Sequence, residues 1–293
     1  MLQFQPPGFG QRVIPTRLGV MAYYTPVADE TAPPLVFLHS LGGGSSAYEW
    51  SKVYPAFATT HRVIAPDLIG WGQSTHPVQD YQVEDYLDIL TALLRWIGQP
   101  VTIAAASLTA GLTIRLAIQH PELVHQLFLV APAGYADFGA DYGRNLSAKL
   151  AGIPGIDRLI YQLGAANEWA IQTFMSQFLF ADPARITPEM IAAYLTSAQQ
   201  SNAEYAALAS LRGDLCFDLA LYLPQLQVPT TFAWGAKSRF SSVAIGQRLA
   251  SLNPQMIRFL PAIPEAGVLA HLEQPAAVIA QLRQTLDSFD GLF

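Results

Sequence analysis

Ser107 stands where a serine can do chemistry. It follows the apolar run Val101–Ala106 and precedes a helical stretch beginning near Leu108, in the pentapeptide Ala-Ala-Ser-Leu-Thr. A serine hydroxyl is a poor nucleophile at neutral pH unless a base lies within hydrogen-bond reach and an acid orients that base. A helix N-terminus behind the serine adds a favourable dipole. Upstream, Gly42–Gly44 follow the apolar run Pro34–His39. A glycine-rich loop lets backbone N–H groups approach an anionic oxygen closely, although a plain strand-to-helix turn explains the same glycines. Six histidines could serve as bases: His39, His61, His76, His120, His125 and His271.

Such groups need a scaffold, and the chain alternates short β-branched runs with helical stripes, the pattern of a parallel sheet with crossover helices. Strands are predicted at Val20–Thr25, Pro34–His39, Arg62–Pro66, Val101–Ala106, Leu127–Ala131, Thr230–Trp234 and Ile257–Leu260. Several are apolar throughout, as strands covered on both faces are. A helix is predicted over Val83–Ile97, with Val83, Tyr86, Leu87, Leu90, Leu93, Leu94 and Ile97 on one face and Gly98 and Pro100 ending it. A last helix spans about Pro275–Phe289. Between the strand ending near Ala131 and the one starting near Thr230 lie helical stripes broken by prolines and glycines. A structureless loop of that length is improbable. The expected organisation is an α/β core of residues 1–133 and 220–293, with a doubly wound, mostly parallel central sheet, and a helical cap inserted at 134–219.

Three motifs carry a resemblance. Leu38–Trp50 reads LHSLGGGSSAYEW, Asp67–Ser74 reads DLIGWGQS, and residues 105–109 read AASLT. In this order and on these elements they resemble the oxyanion loop, the D-x-x-G-x-G-x-S turn and the G-x-S-x-G nucleophile elbow of the α/β-hydrolase superfamily. The likeness covers roughly residues 15–133 and 220–290. It is nearest to the capped branch of esterases, epoxide hydrolases and haloalkane dehalogenases. It implies Ser107 as the nucleophile position and the N–H groups of Leu41 and Leu108 as oxyanion-hole donors. Ser40 replaces a usual glycine, and β-branched Thr109 fits a crowded elbow poorly.

The same frame exposes two departures. The family's acid follows the penultimate strand in a pattern like W-G-x-x-D, and here that position is Ser238. Its histidine follows the last strand in a pattern like A-G-H-x-x-x-x-E-x-P; this chain reads Ala266-Gly267-Val268 and keeps Glu273 and Pro275. Valine moves no protons, and serine cannot balance an imidazolium by charge. The substitutes nearest to hand are His271, three residues late in the same loop, and Asp137, after the strand Leu127–Ala131, where some relatives carry their acid. His39 belongs to the oxyanion loop and is expected to support it. His61, His76, His120 and His125 are expected to be exposed or capping.

Composition narrows the field further. The formal charge of −6 and the lack of a Lys/Arg cluster argue against nucleic acid. No His/Cys/Asp/Glu grouping shows metal-ligand spacing, and no phosphate or dinucleotide fingerprint appears, so neither metal nor cofactor is expected. A single cysteine, Cys216, excludes an intramolecular disulfide and fits a cytoplasmic compartment. The N-terminal MLQFQPPGFGQR lacks the basic and apolar regions of a signal peptide. Val101–Ile118 is interrupted by Ser107, Gly111 and Arg115, so no transmembrane segment is expected. Hydrophobic residues make up 51% and charged ones 13%. That balance fits a large core, or an apolar surface meeting an oligomer, a membrane or a lipophilic ligand.

Two functional readings follow. In the first, a former hydrolase binds a small lipophilic or carbonyl-bearing ligand under the cap, or docks a protein, as a pseudoenzyme. In the second, it is a serine hydrolase of esters or thioesters, with Ser107 served by His271 and Asp137.

Overall fold

The structure, a computed structural model, describes residues 2–26, 31–140, 161 and 166–289. Its strands are β1 (Phe9–Thr16), β2 (Gly19–Pro26), β3 (Pro34–Leu38), β4 (Arg62–Pro66), β5 (Val101–Ala106), β6 (Val124–Val130), β7 (Thr230–Ala233) and β8 (Ile257–Phe259). They form one sheet in the order β1-β2-β4-β3-β5-β6-β7-β8. The β1–β2 hairpin and the β2–β4 pairing are antiparallel. Every pairing from β4 to β8 is parallel. This is the α/β-hydrolase fold that the motifs imply. All residues of β3 and β5 are buried, as expected for strands with helices on both faces.

Two strands differ from the sequence reading by more than one residue at an end. No strand is predicted over 9–16, because only Ile14 of β1 is buried and Pro15 interrupts it. Backbone pairing to β2, from Phe9↔Pro26 to Thr16↔Gly19, supplies what hydrophobic alternation does not. Strand β6 begins at Val124, three residues before the apolar run, because Val124 and Gln126 pair with Val101 and Thr102 of β5.

Helices α1 (Val83–Ile97) and α2 (Ser107–Gln119) pack on the sheet and on each other. The α1 start is fixed by Asp85, whose carboxylate accepts the Gln82 N–H at 3.0 Å. Its end is Gly98, in the left-handed conformation at φ 81°. Between β6 and β7 the described residues carry α3 (Glu168–Phe174), which runs on into a π-helical turn Met175–Leu179, then α4 (Pro188–Ala198) and α5 (Ala203–Arg212). Residues 141–160 and 162–165 of the expected insertion lie outside the described residues. After β7 come α6 (Val243–Ala250), α7 (Ala270–Glu273) and α8 (Pro275–Phe289).

Helix α4 is tied to the loops at the sheet's edge. Ser197 Oγ donates to the Ser45 carbonyl at 2.9 Å and accepts from Gly72 N–H at 3.1 Å. Gly44 has φ 84°, and a side chain there would run into the Tyr194 carbonyl. One hydrophobic cluster joins sheet, flanking helices and α3–α5. Among the described residues no helix is long and apolar enough to cross a membrane. The order places β4 on one side of β3 and β5 on the other, so the connections diverge at the carboxyl ends of β3 and β5. A crevice opens at such a switch point, and both the 39–46 loop and Ser107 stand there.

Candidate functional site

Ser107 is the first residue of α2 and takes φ 55°. A left-handed backbone at a non-glycine residue is costly and is held only by its surroundings. Gly111, one turn on, passes so near the Ala133 carbonyl that any side chain would collide with it. The crowding that an elbow needs is met here by Ala105 and Gly111 rather than by a glycine at position 109. Thr109 is accommodated fully buried, its Oγ1 without a partner among the described residues.

Ser107 opens onto a cavity of about 820 Å³ whose walls include Leu41, Leu108, Tyr135, Val268 and Leu269. That volume suits a drug-sized ligand. Leu41 and Leu108, the expected oxyanion donors, thus share one cavity with the serine. Leu108 lies in the first turn of α2, where N–H groups have no intrahelical acceptor. On either side of Leu41 the loop's donors are already used. Ser40 N–H goes to Glu49 Oε2 at 2.7 Å, and Gly42 N–H goes to Ser45 Oγ at 3.1 Å.

The hydroxyl partner of Ser107 is Tyr135, at 2.7 Å between Oγ and the phenol oxygen. Sequence reasoning missed Tyr135; it belongs to no motif, and only the turn after β6 brings it to the serine. Val268, at the position where the resemblance expects a histidine, is 4% exposed and forms part of the cavity wall. Ser238, at the expected acid position, has a buried hydroxyl with no partner among the described residues. Its loop runs beside the Val268 loop: Lys237 N–H donates to the Ala266 carbonyl at 2.9 Å, and a side chain at Gly235 would meet the Gly267 carbonyl. Glu273, kept from the family frame, braces this region. Its carboxylate accepts Gly267 N–H at 2.7 Å, Asp182 N–H at 2.8 Å and Ala181 N–H at 3.0 Å.

The two substitutes named from sequence are not among the residues lining the cavity. His271 is fully buried, stacked on Trp50 at 4.2 Å between ring centroids, with Nε2 3.6 Å from Glu49 Oε2. Asp137 spends its carboxylate on Gly134 N–H at 3.0 Å and Leu219 N–H at 2.9 Å. Burial pushes its pKa up against those hydrogen bonds. Asp137 shapes the turn that carries Tyr135 instead of reaching the serine.

Glu49 is the second residue that sequence reasoning passed over. Besides Ser40 N–H it accepts the Ser40 hydroxyl at 2.8 Å and the Tyr194 phenol at 3.0 Å. Burial opposes its charge, but His271, His39 and the Ser40 N–H together draw its pKa below the usual carboxylate range. His39 supports the loop as expected. Its Nε2 accepts Leu68 N–H at 2.9 Å, so Nδ1 carries the proton toward the Ser40 carbonyl, 2.6 Å away. Asp67 of the D-x-x-G-x-G-x-S turn plays a similar part, accepting Ala47 N–H at 2.7 Å and Gln73 N–H at 2.8 Å. His76, expected exposed or capping, is half-buried with Nε2 enclosed, and burial lowers its pKa to about 4.

Known proteins resemble this chain in sequence or in fold. An uncharacterized protein of Mycobacterium tuberculosis is 37% identical over 105 residues, 36% of this chain and 30% of that one, so the chain spans under a third of that relative's length. The 3-oxoadipate enol-lactonase 2 of Acinetobacter baylyi is 25% identical over 89% of this chain and 91% of its own. The crystal structure of haloalkane dehalogenase DbeA from Bradyrhizobium elkani superposes with a TM-score of 0.79, covering 97% of this chain and 100% of that one at 20% identity, a likeness of fold. The model of the alpha/beta hydrolase family matches residues 35–281. The chain belongs to the alpha/beta hydrolase family.

Proposed function

We propose that this protein is a former hydrolase that binds a small lipophilic ligand around Ser107 without turning it over. The observation that carries the reading is the hydroxyl pair Ser107–Tyr135 beside Val268. A neutral phenol already carries its proton and cannot take one from the serine, and valine is no base at all. Removing one member of a nucleophile–base–acid set costs several powers of ten in rate, with only a residue of catalysis left from the oxyanion donors. The cavity supports retention of binding: it is lined by Phe174, Phe178 and Phe240 as well as by the elbow. In this reading residues 134–219 form the cap, His271 and Asp137 serve structure, and the compartment is cytoplasmic.

One observation favours a working serine hydrolase instead. The elbow keeps its strained backbone at Ser107, φ 55°, a geometry that binding alone does not demand. In that case the Glu49–His271 pair would have to reach the serine by rearrangement.

Turnover of p-nitrophenyl acetate and p-nitrophenyl hexanoate by the wild type and Ser107→Ala separates the two. Equal rates support the binding reading. A wild-type rate at least about a hundredfold above the variant, the usual scale of general-base assistance, overturns it.

A further inference from the structure

Three non-glycine residues in the stretch after β6 adopt left-handed backbone: Ala131 at φ 46°, Tyr135 at φ 62° and Phe138 at φ 58°. Such conformations persist only where the surroundings over-determine them, and an observed outlier is a reason to ask what it positions. Here the surroundings are specific. Gly134 passes so close to the Phe217 carbonyl that no side chain fits. Phe217 N–H donates to the Gly134 carbonyl at 2.9 Å, and Tyr135 bridges to Phe217. Ala133 N–H reaches the Ser107 carbonyl at 3.3 Å. Asp137 then locks the turn through Gly134 and Leu219. All of this holds one phenol oxygen 2.7 Å from Ser107 Oγ.

The remaining polar groups of the wall are largely committed to one another. Ser40 and Ser45 hydroxyls lie 2.9 Å apart, Ser40 donates to Glu49, and so does Tyr194. Among the described residues lining the cavity none is Asp, Glu, Lys, Arg or His. Among the described residues an anion entering it would meet no cationic side chain, and the Glu49 carboxylate would stand directly behind Ser40 and Tyr194. Burying an unpaired charge is far costlier than burying a hydrogen-bonded neutral group.

Building on the binding reading, we infer that Tyr135 is the specificity-determining residue of this cavity: with Ser107 it hydrogen-bonds the oxygen of an uncharged carbonyl compound with an apolar body, and the cavity rejects the corresponding carboxylate. The aromatic wall holds the apolar body. Phe178 and Phe240 stack with centroids 5.7 Å apart, Phe174 lies 5.6 Å from Phe178, and Phe240 meets the Tyr135 ring edge-on at 6.3 Å. Tyr135 thus touches both the polar and the apolar part of the site.

The test is calorimetric titration of the full chain with methyl undecyl ketone, dodecanoate and dodecane, for the wild type and for Tyr135→Phe. Near-ultraviolet circular dichroism checks that the variant is folded. The ketone is expected to bind the wild type at least roughly tenfold more tightly than dodecanoate. Tyr135→Phe should weaken the ketone by about three- to tenfold, the worth of one hydrogen bond, and leave dodecane unchanged. Dodecanoate binding as tightly as the ketone overturns the inference, as does an equal loss for ketone and dodecane, or no ketone binding. The wild-type comparison decides even if the variant fails to fold. Methyl dodecanoate hydrolysed by the wild type and not by Ser107→Ala would sink the non-catalytic reading while supporting the ligand class.

Discussion

Glu49 and His271 face each other at 3.6 Å with both side chains fully enclosed. They come from opposite ends of the chain, and Trp50 stacks on the imidazole at 4.2 Å. The same carboxylate holds the 39–46 loop through Ser40 and helix α4 through Tyr194. One buried charge therefore ties together three segments around the cavity. Replacing the carboxylate strips the Ser40 N–H, the Ser40 hydroxyl and the Tyr194 phenol of their charged acceptor, and hydrogen bonds to charged groups are worth about 1.5–3 kcal/mol each. Glu49→Gln should lower unfolding stability by about 3 kcal/mol, read from the urea midpoint at constant slope.

Acid should act through two groups with different windows. Glu49 has a folded pKa below its ordinary 4.5. Its contribution is complete above that value and is lost as pH falls through the folded pKa. Burial lowers His76 from 6.5 to about 4. Between those values the unfolded chain takes up a proton that the folded chain refuses, so stability falls as pH drops below 6.5. Urea midpoints measured from pH 7 to 4 should decline, and His76→Phe should flatten the part above 4.5. A profile unchanged by His76→Phe would contradict the assignment.

On the binding reading, placing a histidine and an acid at the positions where the family carries them should create chemistry. Val268 lines the cavity with Ser107, and the Ser238 loop runs beside it. The double variant Val268→His with Ser238→Asp should gain Ser107-dependent turnover of p-nitrophenyl acetate, at least about a hundredfold over wild type. Adding Tyr135→Phe should raise it further by freeing the serine. A folded double variant with no gain would mean that more than these two positions has been lost.

Gly134→Ala tests the turn that carries Tyr135. Its new methyl group would meet the Phe217 carbonyl, and overpacking of this kind costs about 2 kcal/mol. Thermal unfolding should show the loss, and ketone binding should weaken even at temperatures where the variant is fully folded.

How legible all this was in the sequence depended on the range of the signal. Helices Val83–Ile97 and Pro275–Phe289 and strands Arg62–Pro66 and Val101–Ala106 match the structure residue for residue, because each carries its own periodicity, apolar run or stop signal. Strand β1 was silent, since its order comes from pairing with β2 rather than from burial. The three motifs led to the family because their spacing is local to turns. Tyr135 and Glu49 were invisible for the opposite reason. Tyr135 reaches Ser107 only through a left-handed turn, and Glu49 meets His271 only once the sheet has closed the chain on itself. The distance of Asp137 after a strand suits an acid, but the structure turns its carboxylate onto Gly134 and Leu219.

On the binding reading Ser107, paired with Tyr135 and sharing a cavity wall with Val268, is not an activated nucleophile. The most direct test is intact-mass measurement after exposure to a fluorophosphonate, with Ser107→Ala alongside and a cavity-filling aromatic dye to establish that the site is open. No adduct is expected on the wild type under conditions that label an ordinary serine esterase to completion, while the dye binds. Stoichiometric labelling that disappears in Ser107→Ala would contradict the binding reading.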